Sequence, residues 1–573
     1  MGRSKTIFLF LLTACMSMTL HAQDVDQKID ETLKALHKAH VFNGAVLVAK
    51  GDILSFEQGY GNAVLEWDIP VTGDTRFRIG SVTKQFTAAI ILMLMEQGKI
   101  DLQQKLRTYI PEYPSAQADK VTIHQLLNHT SGVPSYTSIP GFMQRNTRNP
   151  YPPDSMFAVI ANIPLNFEPG SKWQYSNSGY FILGSVIEHV TGKPYDEVLR
   201  DMLLQPLGLM QSGYEHNEDV IPHFASGYVR VPGGFQRAAW LDASVPYAAG
   251  MMYSTVEDLY RWTRKLHRGE VFHDGETFDM MTTPYKENYG YGLVMRTQKA
   301  GEKDVRIVEH GGGIFGFRSA LWYLPEEEYT IVVLDNTEGR ADQVANAIFN
   351  VLHGLPVEMP APSIAEEMQR VIESDGIDAA AARYATLKAS ESAKWNFSET
   401  ELNTLGYLYL GKGKTDIALR IFKLNIDAYP KSSNPYDSYG EALAKAGRKE
   451  EAIAMYQKAL EINPGNTGSR QALERLGVKT ELKTIIISAA ILDRYLGRYE
   501  LKPGFDLTIT REDTQLFAQA TGQPKFELFP SSDNNFYLKV VNAQVTFVTE
   551  GAEPATSLIL HQNGRDMPAK RVE

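Results

Sequence analysis

The chain has 573 residues, 43% hydrophobic and 22% charged, with a formal net charge of −11, which is enough for two to four domains with apolar cores of their own. The acidic balance argues against a nucleic-acid partner or an anionic membrane surface. Cys15 is the only cysteine, so no internal disulfide can form, and H-E-x-x-H and G-x-S-x-G are both absent, so neither a metal, a cofactor nor an α/β-hydrolase elbow is expected.

In chain order, Met1 to Ala22 reads as an export signal: Arg3 and Lys5, an apolar stretch from Ile7 to about Leu20, then Leu20-His21-Ala22 ahead of Gln23. The stretch is too short to span a bilayer, and no later segment is long and apolar enough to do so. Leu12-Thr13-Ala14-Cys15 resembles a lipoprotein signal. Because Met16 to Leu20 stays mostly apolar, cleavage after Ala22 is the expectation, with lipid anchoring through Cys15 as the alternative; the expected location is periplasmic or secreted.

Phe42 to Ala49 and Ser55 to Glu66 read as strands around a Gly51-Asp52 turn. Ser81-Val82-Thr83-Lys84 follows, placing a hydroxyl and an amine at i and i+3, on one face of a helix. From Phe86 to Met95 the residues are apolar nearly all round, the pattern of a central helix that ends at Gly98. A lysine buried there loses its proton readily enough to act as base for a serine nucleophile. Helix signals recur around 179–201. Loops around 136–160 and 214–245 are expected to shape the pocket.

Further along come Leu126-Leu127-Asn128-His129-Thr130-Ser131-Gly132, Phe167-Glu168-Pro169-Gly170, Tyr175-Ser176-Asn177-Ser178-Gly179-Tyr180, Ala249 to Thr255 with Asp258-Leu259, and His310-Gly311-Gly312. This ordered set resembles the serine β-lactamase and penicillin-binding-protein superfamily, in the branch of class C β-lactamases, D-alanyl-D-alanine carboxypeptidases, D-aminopeptidases and esterases. The resemblance covers about residues 30 to 355. It implies an α+β fold: an antiparallel sheet flanked by helices, plus a helical subdomain, with the serine at their junction.

Roles carried by the resemblance are as follows. Ser81 attacks a carbonyl and is acylated, and Lys84 takes its proton. Tyr175, its phenol shifted by the nearby ammonium, relays protons to the leaving group and activates the deacylating water. Asn177 holds Lys84 and the substrate amide, and the N–H groups of Ser81 and Gly313 form the oxyanion site. His310 supplies a hydrogen bond or a positive charge beside Tyr175. Gly311 and Gly312 line the substrate, and Arg318 is a candidate carboxylate clamp. His129 and Trp173 read as structural residues.

His310-Gly311-Gly312 departs from the Lys-Thr-Gly of class C β-lactamases, removing both a fixed ammonium and a hydroxyl that holds substrate carboxylates. The expected function is therefore cleavage of an amide or ester of a small substrate, a D-amino-acid peptide or related acyl compound. An esterase or class C-like β-lactamase is one alternative. A penicillin-binding or sensor protein acylated without turnover is another.

Leu355-Pro356 through Pro360-Ala361-Pro362 is a proline-rich break. Beyond it, Leu402/Tyr436, Gly406/Gly440, Gly413/Gly447, Ala418/Ala452, Phe422/Tyr456 and Pro430/Pro464 are each 34 residues apart, the tetratricopeptide period, with helices from about 364 to 394 as a cap. Gly413-Lys414-Thr415 imitates a phosphate-binding loop without its earlier glycine and reads as an inter-helix turn. The repeats offer either a protein- or peptide-binding groove or a rigid spacer. From about Ile486, short alternating segments read as a small antiparallel β-sandwich or barrel. The expected domains are 1–22, 23–357, 363–480 and 486–573.

Overall fold

A computed structural model describes residues 24–572 except 232–233, 480–486, 503–504, 522, 542, 550, 552 and 563–564. The expected export signal and Cys15 lie outside the described residues. The chain forms two compact units, one ending at Pro360 and one beginning at Ala361.

The first unit is built on one antiparallel sheet of β1 (Gly44–Lys50), β2 (Ile53–Tyr60), β3 (Val294–Ala300), β4 (Lys303–Ile314), β5 (Phe317–Leu324) and β6 (Tyr329–Asp335), in the order β3-β4-β5-β6-β1-β2. The central strands are apolar on both sides because both faces are covered. Val46, Val48, Ile331 and Val333 pack on α1 (24–38) and α5 (Ala341–Leu352). Ala45, Leu47, Val332 and Leu334 instead face α2 (Thr83–Glu96), α3 (Asn177–Thr191) and α4 (Val256–His267). Every residue of α2 from Thr83 to Leu92 is buried, as its all-round apolar pattern requires. Trp262 of α4 stacks on Phe86 with ring centroids 4.3 Å apart and donates its indole N–H to Gln85 Oε1 at 2.8 Å.

Two expected elements are shorter than the sequence suggested. The second strand ends at Tyr60 because Gly61 turns with φ +71° against the Asn43 side chain, and residues 62–64 form a separate small hairpin with 69–70. The helix expected over 179–201 breaks at Gly192, whose φ of +68° caps α3 before Pro194 starts the next turn.

In the second unit, α6 (Ile364–Ser390, broken at Gly376) precedes two helix pairs, α7 (Glu399–Gly411) with α8 (Thr415–Ala428) and α9 (Ser433–Lys445) with α10 (Lys449–Ile462), and α11 (Thr467–Arg475) follows. They share one apolar core. A Cβ at Gly406 would lie 2.4 Å from the Phe422 ring, and one at Gly440 3.0 Å from the Tyr456 ring: in each repeat the glycine admits the aromatic of the next helix. Gly413 lies in the turn between α7 and α8 with φ +73°. The remaining β7 (Gly497–Lys502), β8 (Phe505–Glu512), β9 (Gln515–Ala520), β10 (Phe526–Pro530), β11 (Asn535–Tyr537), β12 (Ala543–Val548), β13 (Ser557–Gln562) and β14 (Arg565–Arg571) close into an antiparallel barrel. Of the two forms expected, the barrel is the one found. Alternate residues such as Leu507, Ile509, Val545 and Phe547 fill its interior, and closure leaves no open sheet edge.

Candidate active site

Ser81 sits in a single 3₁₀ turn, Gly80–Val82, that feeds α2. The turn lies tight against β4. Gly80 has φ +53°, and a Cβ on it would be 2.8 Å from Gly313 N; one on Gly312 would be 2.0 Å from Ile79 O. Ser319 Oγ donates to Ile79 O at 2.8 Å and fastens the turn to β5 as well. The glycines are thus what let the strand and the serine turn meet, so that the Gly313 backbone borders the same cavity as Ser81. Pairing of β3 to β4 ends at Val294↔Glu309, whereas β5 continues to Phe317↔Ile314. Among the described residues no strand continues on the β3 side of residues 310–314.

Lys84, the second residue of α2, is fully buried. Its Nζ lies 3.0 Å from Ser81 Oγ, 2.9 Å from Asn177 Oδ1 and 2.7 Å from Ala249 O. Burial holds its pKa well below the ordinary lysine value. Asn177, first residue of α3, is oriented by donating Nδ2–H to Thr137 Oγ1 at 3.2 Å.

Tyr175 precedes α3 in a loop pinned by the 126–132 segment. Gly170 N–H donates to Thr130 O, Gln174 N–H to His129 O and Ser176 N–H to His129 Nδ1, at 2.8, 3.0 and 3.2 Å. That clip explains why the two motifs travel together in the sequence. The Tyr175 phenol interacts with Ser81, and burial pushes it above its ordinary range, only partly offset by that interaction. The phenol is therefore protonated at rest, and burial, rather than the lysine expected to shift it, is the main cause. Lys84 Nζ does lie over the Tyr175 ring, 4.9 Å from its centroid.

His310 is buried, with Nδ1 2.6 Å from Gly311 O and Nε2 3.0 Å from Tyr289 Oη. Nδ1 carries the hydrogen and Nε2 accepts from the tyrosine. Burial is the main cause that lowers its pKa to about 4, so at neutral pH it is an uncharged imidazole. Of the two contributions expected of it, hydrogen bond or charge, this leaves the hydrogen bond, made to Tyr289. His129 is equally buried and neutral, 4.4 Å ring to ring from Tyr175. Trp173, expected in the core, instead lines a cavity.

Two cavities flank this centre. One, of about 480 Å³, is lined by Ser81, Asn177 and Gly313 with Tyr136, Met143, Leu241, Val245 and Phe315, so the 136–160 and 214–245 loops do contribute its walls. Arg318 is also there, donating to Phe317 O at 2.9 Å and facing Glu338 Oε2 at 3.4 Å. The other, of about 460 Å³, contains Tyr175, His310 and Gly311.

Sequence reasoning missed Tyr289, Thr137 and the acceptor role of Ala249 O. Only Tyr289 had a signal, the Tyr289-Gly290-Tyr291-Gly292 run: Gly292, at φ +72°, lets the chain pass so close to α2 that a Cβ there would be 2.8 Å from Lys84 O.

The family model described as Beta-lactamase matches residues 25–355; a tetratricopeptide repeat model matches 434–466, and that of a domain of unknown function matches 482–571. Penicillin-binding protein 4* of Bacillus subtilis is 24% identical, covering 96% of this chain and 100% of its own. The putative penicillin-binding protein PbpX of the same organism is 26% identical over 58% of this chain and 79% of its own. The crystal structure of a D-stereospecific amidohydrolase from Streptomyces sp. superposes with a TM-score of 0.50 at 28% identity, covering 56% of this chain and 98% of that one.

Proposed function

The chain belongs to the Beta-lactamase family of serine hydrolases, and on that premise we propose that it is an exported enzyme that cleaves an amide or ester of a small D-amino-acid peptide or related acyl compound through an acyl-enzyme on Ser81. The contact of one hydroxyl, Ser81, with both the buried Lys84 amine and the Tyr175 phenol carries this reading. The similarity to a D-stereospecific amidohydrolase supports the substrate class, and the absence of a free cation at 310 and of a hydroxyl at 311 counts against a substrate carboxylate held there.

In the proposed reaction the Ser81 Oγ–carbon bond forms as the serine proton passes to Lys84. The carbonyl oxygen becomes an oxyanion held by the N–H groups of Ser81 and Gly313. Collapse breaks the C–N or C–O bond, and the departing atom takes the proton that Lys84 returns through the Tyr175 hydroxyl. Water, deprotonated by the same pair, then attacks the acyl carbon, releasing the acid and restoring Ser81. The cavity beside Ser81, walled by Met143, Leu241, Val245 and Phe315, suits an apolar acyl group. The repeats are proposed to bind a protein or peptide. Among the described residues no helix is long and apolar enough to cross a membrane; export to the periplasm or medium is part of the proposal.

Intact-mass measurement of wild type and Ser81→Ala with a fluorophosphonate, a penicillin and a p-nitrophenyl ester, alongside turnover assays, tests the reading. A mass gain on wild type alone, lost with turnover for the true substrate class, is expected. An adduct that persists without turnover would make the protein an acylated sensor, and labelling of Ser81→Ala would remove Ser81 as nucleophile.

A further inference from the structure

The cavity of about 460 Å³ beside Tyr175 has a charge pattern that the reaction above does not use. Because Tyr175 delivers the proton to the departing atom, the group that leaves is the one that occupies this side. Its lining includes three carboxylates, Glu287, Glu309 and Asp342, against one guanidinium, Arg296, and His310 is neutral. Arg296 is already committed: Nε contacts Glu309 Oε1 at 2.5 Å, Nη1 contacts Gln298 Oε1 at 2.7 Å, and the guanidinium lies 4.4 Å from the Trp322 ring centroid. Asp342 and Glu287 are exposed; the charges of Arg296 and Arg318 reach Asp342, but neither closes an ion pair with it, and partial burial pushes its carboxyl above the usual carboxylate range.

Asp342, at the start of α5, stands beside Gly311: a Cβ there would lie in van der Waals contact with its Oδ1, at 3.4 Å. Arg318, whose charge also reaches Asp342, is engaged by Glu338 and Phe317 O and lines the other cavity. A separate observation also calls for a ligand. Trp322 is 2% exposed, lines this cavity, and its indole N–H has no acceptor.

Resting on the acyl-serine reading, we propose that this cavity is a leaving-group site for amines bearing an additional positive charge, with Asp342 as its specificity-determining residue. An ammonium or guanidinium there meets the carboxylates of Asp342 and Glu287 and the rings of Trp173 and Tyr289 that line the cavity. A leaving group ending in a carboxylate meets like charges and no free cation. The Trp322 N–H takes a carbonyl oxygen of the same group.

The test uses the full chain and three amides of one acyl group, made with ethylenediamine (cationic), propylamine (neutral) and β-alanine (anionic). In wild type kcat/KM falls in that order across at least about tenfold at low ionic strength, and salt compresses the span. Asp342→Asn flattens the order and Asp342→Lys inverts it, the propylamide reporting that each variant is folded and active. Equal rates for the cationic and anionic amides in wild type, or an order unchanged by charge reversal, overturn the proposal. If amides are not turned over, the same three amines are offered as acceptors to the acyl-enzyme formed from a p-nitrophenyl ester, and the same order is required. Fluorophosphonate labelling of Ser81 in the same samples separates the two failures. Labelled protein with flat ratios sinks only the charge selection, whereas unlabelled protein sinks the acyl-serine reading and this inference with it.

Discussion

Lys84 Nζ lies 3.0 Å from Ser81 Oγ while its other two neighbours, Asn177 Oδ1 and Ala249 O, are groups that only accept. A neutral amine satisfies all three: its two N–H bonds go to the acceptors and its lone pair is left for the serine hydroxyl. Burial favours the same state, since it penalises the ammonium.

The pH dependence of acylation should therefore have its acidic limb well below the ordinary lysine range, with the rate rising as Lys84 loses its proton. Lys84→Arg, which stays charged at every accessible pH, should acylate slower by roughly 10³-fold. Stopped-flow acylation rates across pH check this. A limb near 10.5 would contradict the neutral-amine assignment.

Tyr175→Phe removes the hydroxyl on Ser81 but leaves Lys84 in place. Acylation should stay measurable while deacylation falls by about 10²-fold, so the burst remains and the steady state slows. Unchanged steady-state turnover would rule out the relay.

Gly312→Ala and Gly313→Ala should differ sharply despite being neighbours. The first puts a Cβ 2.0 Å from the backbone oxygen of Ile79, forcing β4 away from the Ser81 turn; the second meets the flexible end of Arg318 at 3.3 Å. Gly312→Ala should lower kcat at least about 10²-fold, as loss of an oxyanion donor does, whereas Gly313→Ala should retain most activity. Comparable kcat values for both would show that the contact at Ile79 is not what sets the oxyanion geometry.

His310, lowered to about 4 from an ordinary 6.5, binds fewer protons folded than unfolded between those values. Its burial costs stability fully below pH 4, the cost shrinks as pH rises, and it is gone above 6.5. His310→Gln should abolish that contribution, so the stability difference between wild type and variant should change by ~3 kcal/mol between pH 4 and 6.5. Denaturant unfolding at several pH values reads it directly, and a constant difference would mean His310 does not titrate as described.

In the repeats, Gly406→Ala places a Cβ 2.4 Å from the Phe422 ring. It should destabilise the second unit by about 1–3 kcal/mol, as overpacking does, with no effect on acylation of Ser81.

Short-range order is what the sequence determined alone. Ser81, in the 3₁₀ turn, and Lys84, at the head of the apolar helix it feeds, are three residues apart, so their contact follows from helical spacing. The 34-residue period likewise sets glycine against aromatic, because that pairing is local to a helix hairpin, and the alternating segments after 486 could only be strands. Tertiary structure decided what depends on distant segments meeting. The protonated Tyr175 phenol and the neutral His310 follow from burial, which no motif encodes. The strand end at Tyr60 follows from the Asn43 side chain packed beside Gly61, whereas the α3 end at Gly192 is a left-handed glycine cap with nothing packed against it. The approach of Asp342 to Gly311 brings the start of a helix to a strand more than thirty residues earlier in the chain. Between them lie two strands whose register alone sets that distance, which is why the charge of the leaving-group cavity could be read only from the fold.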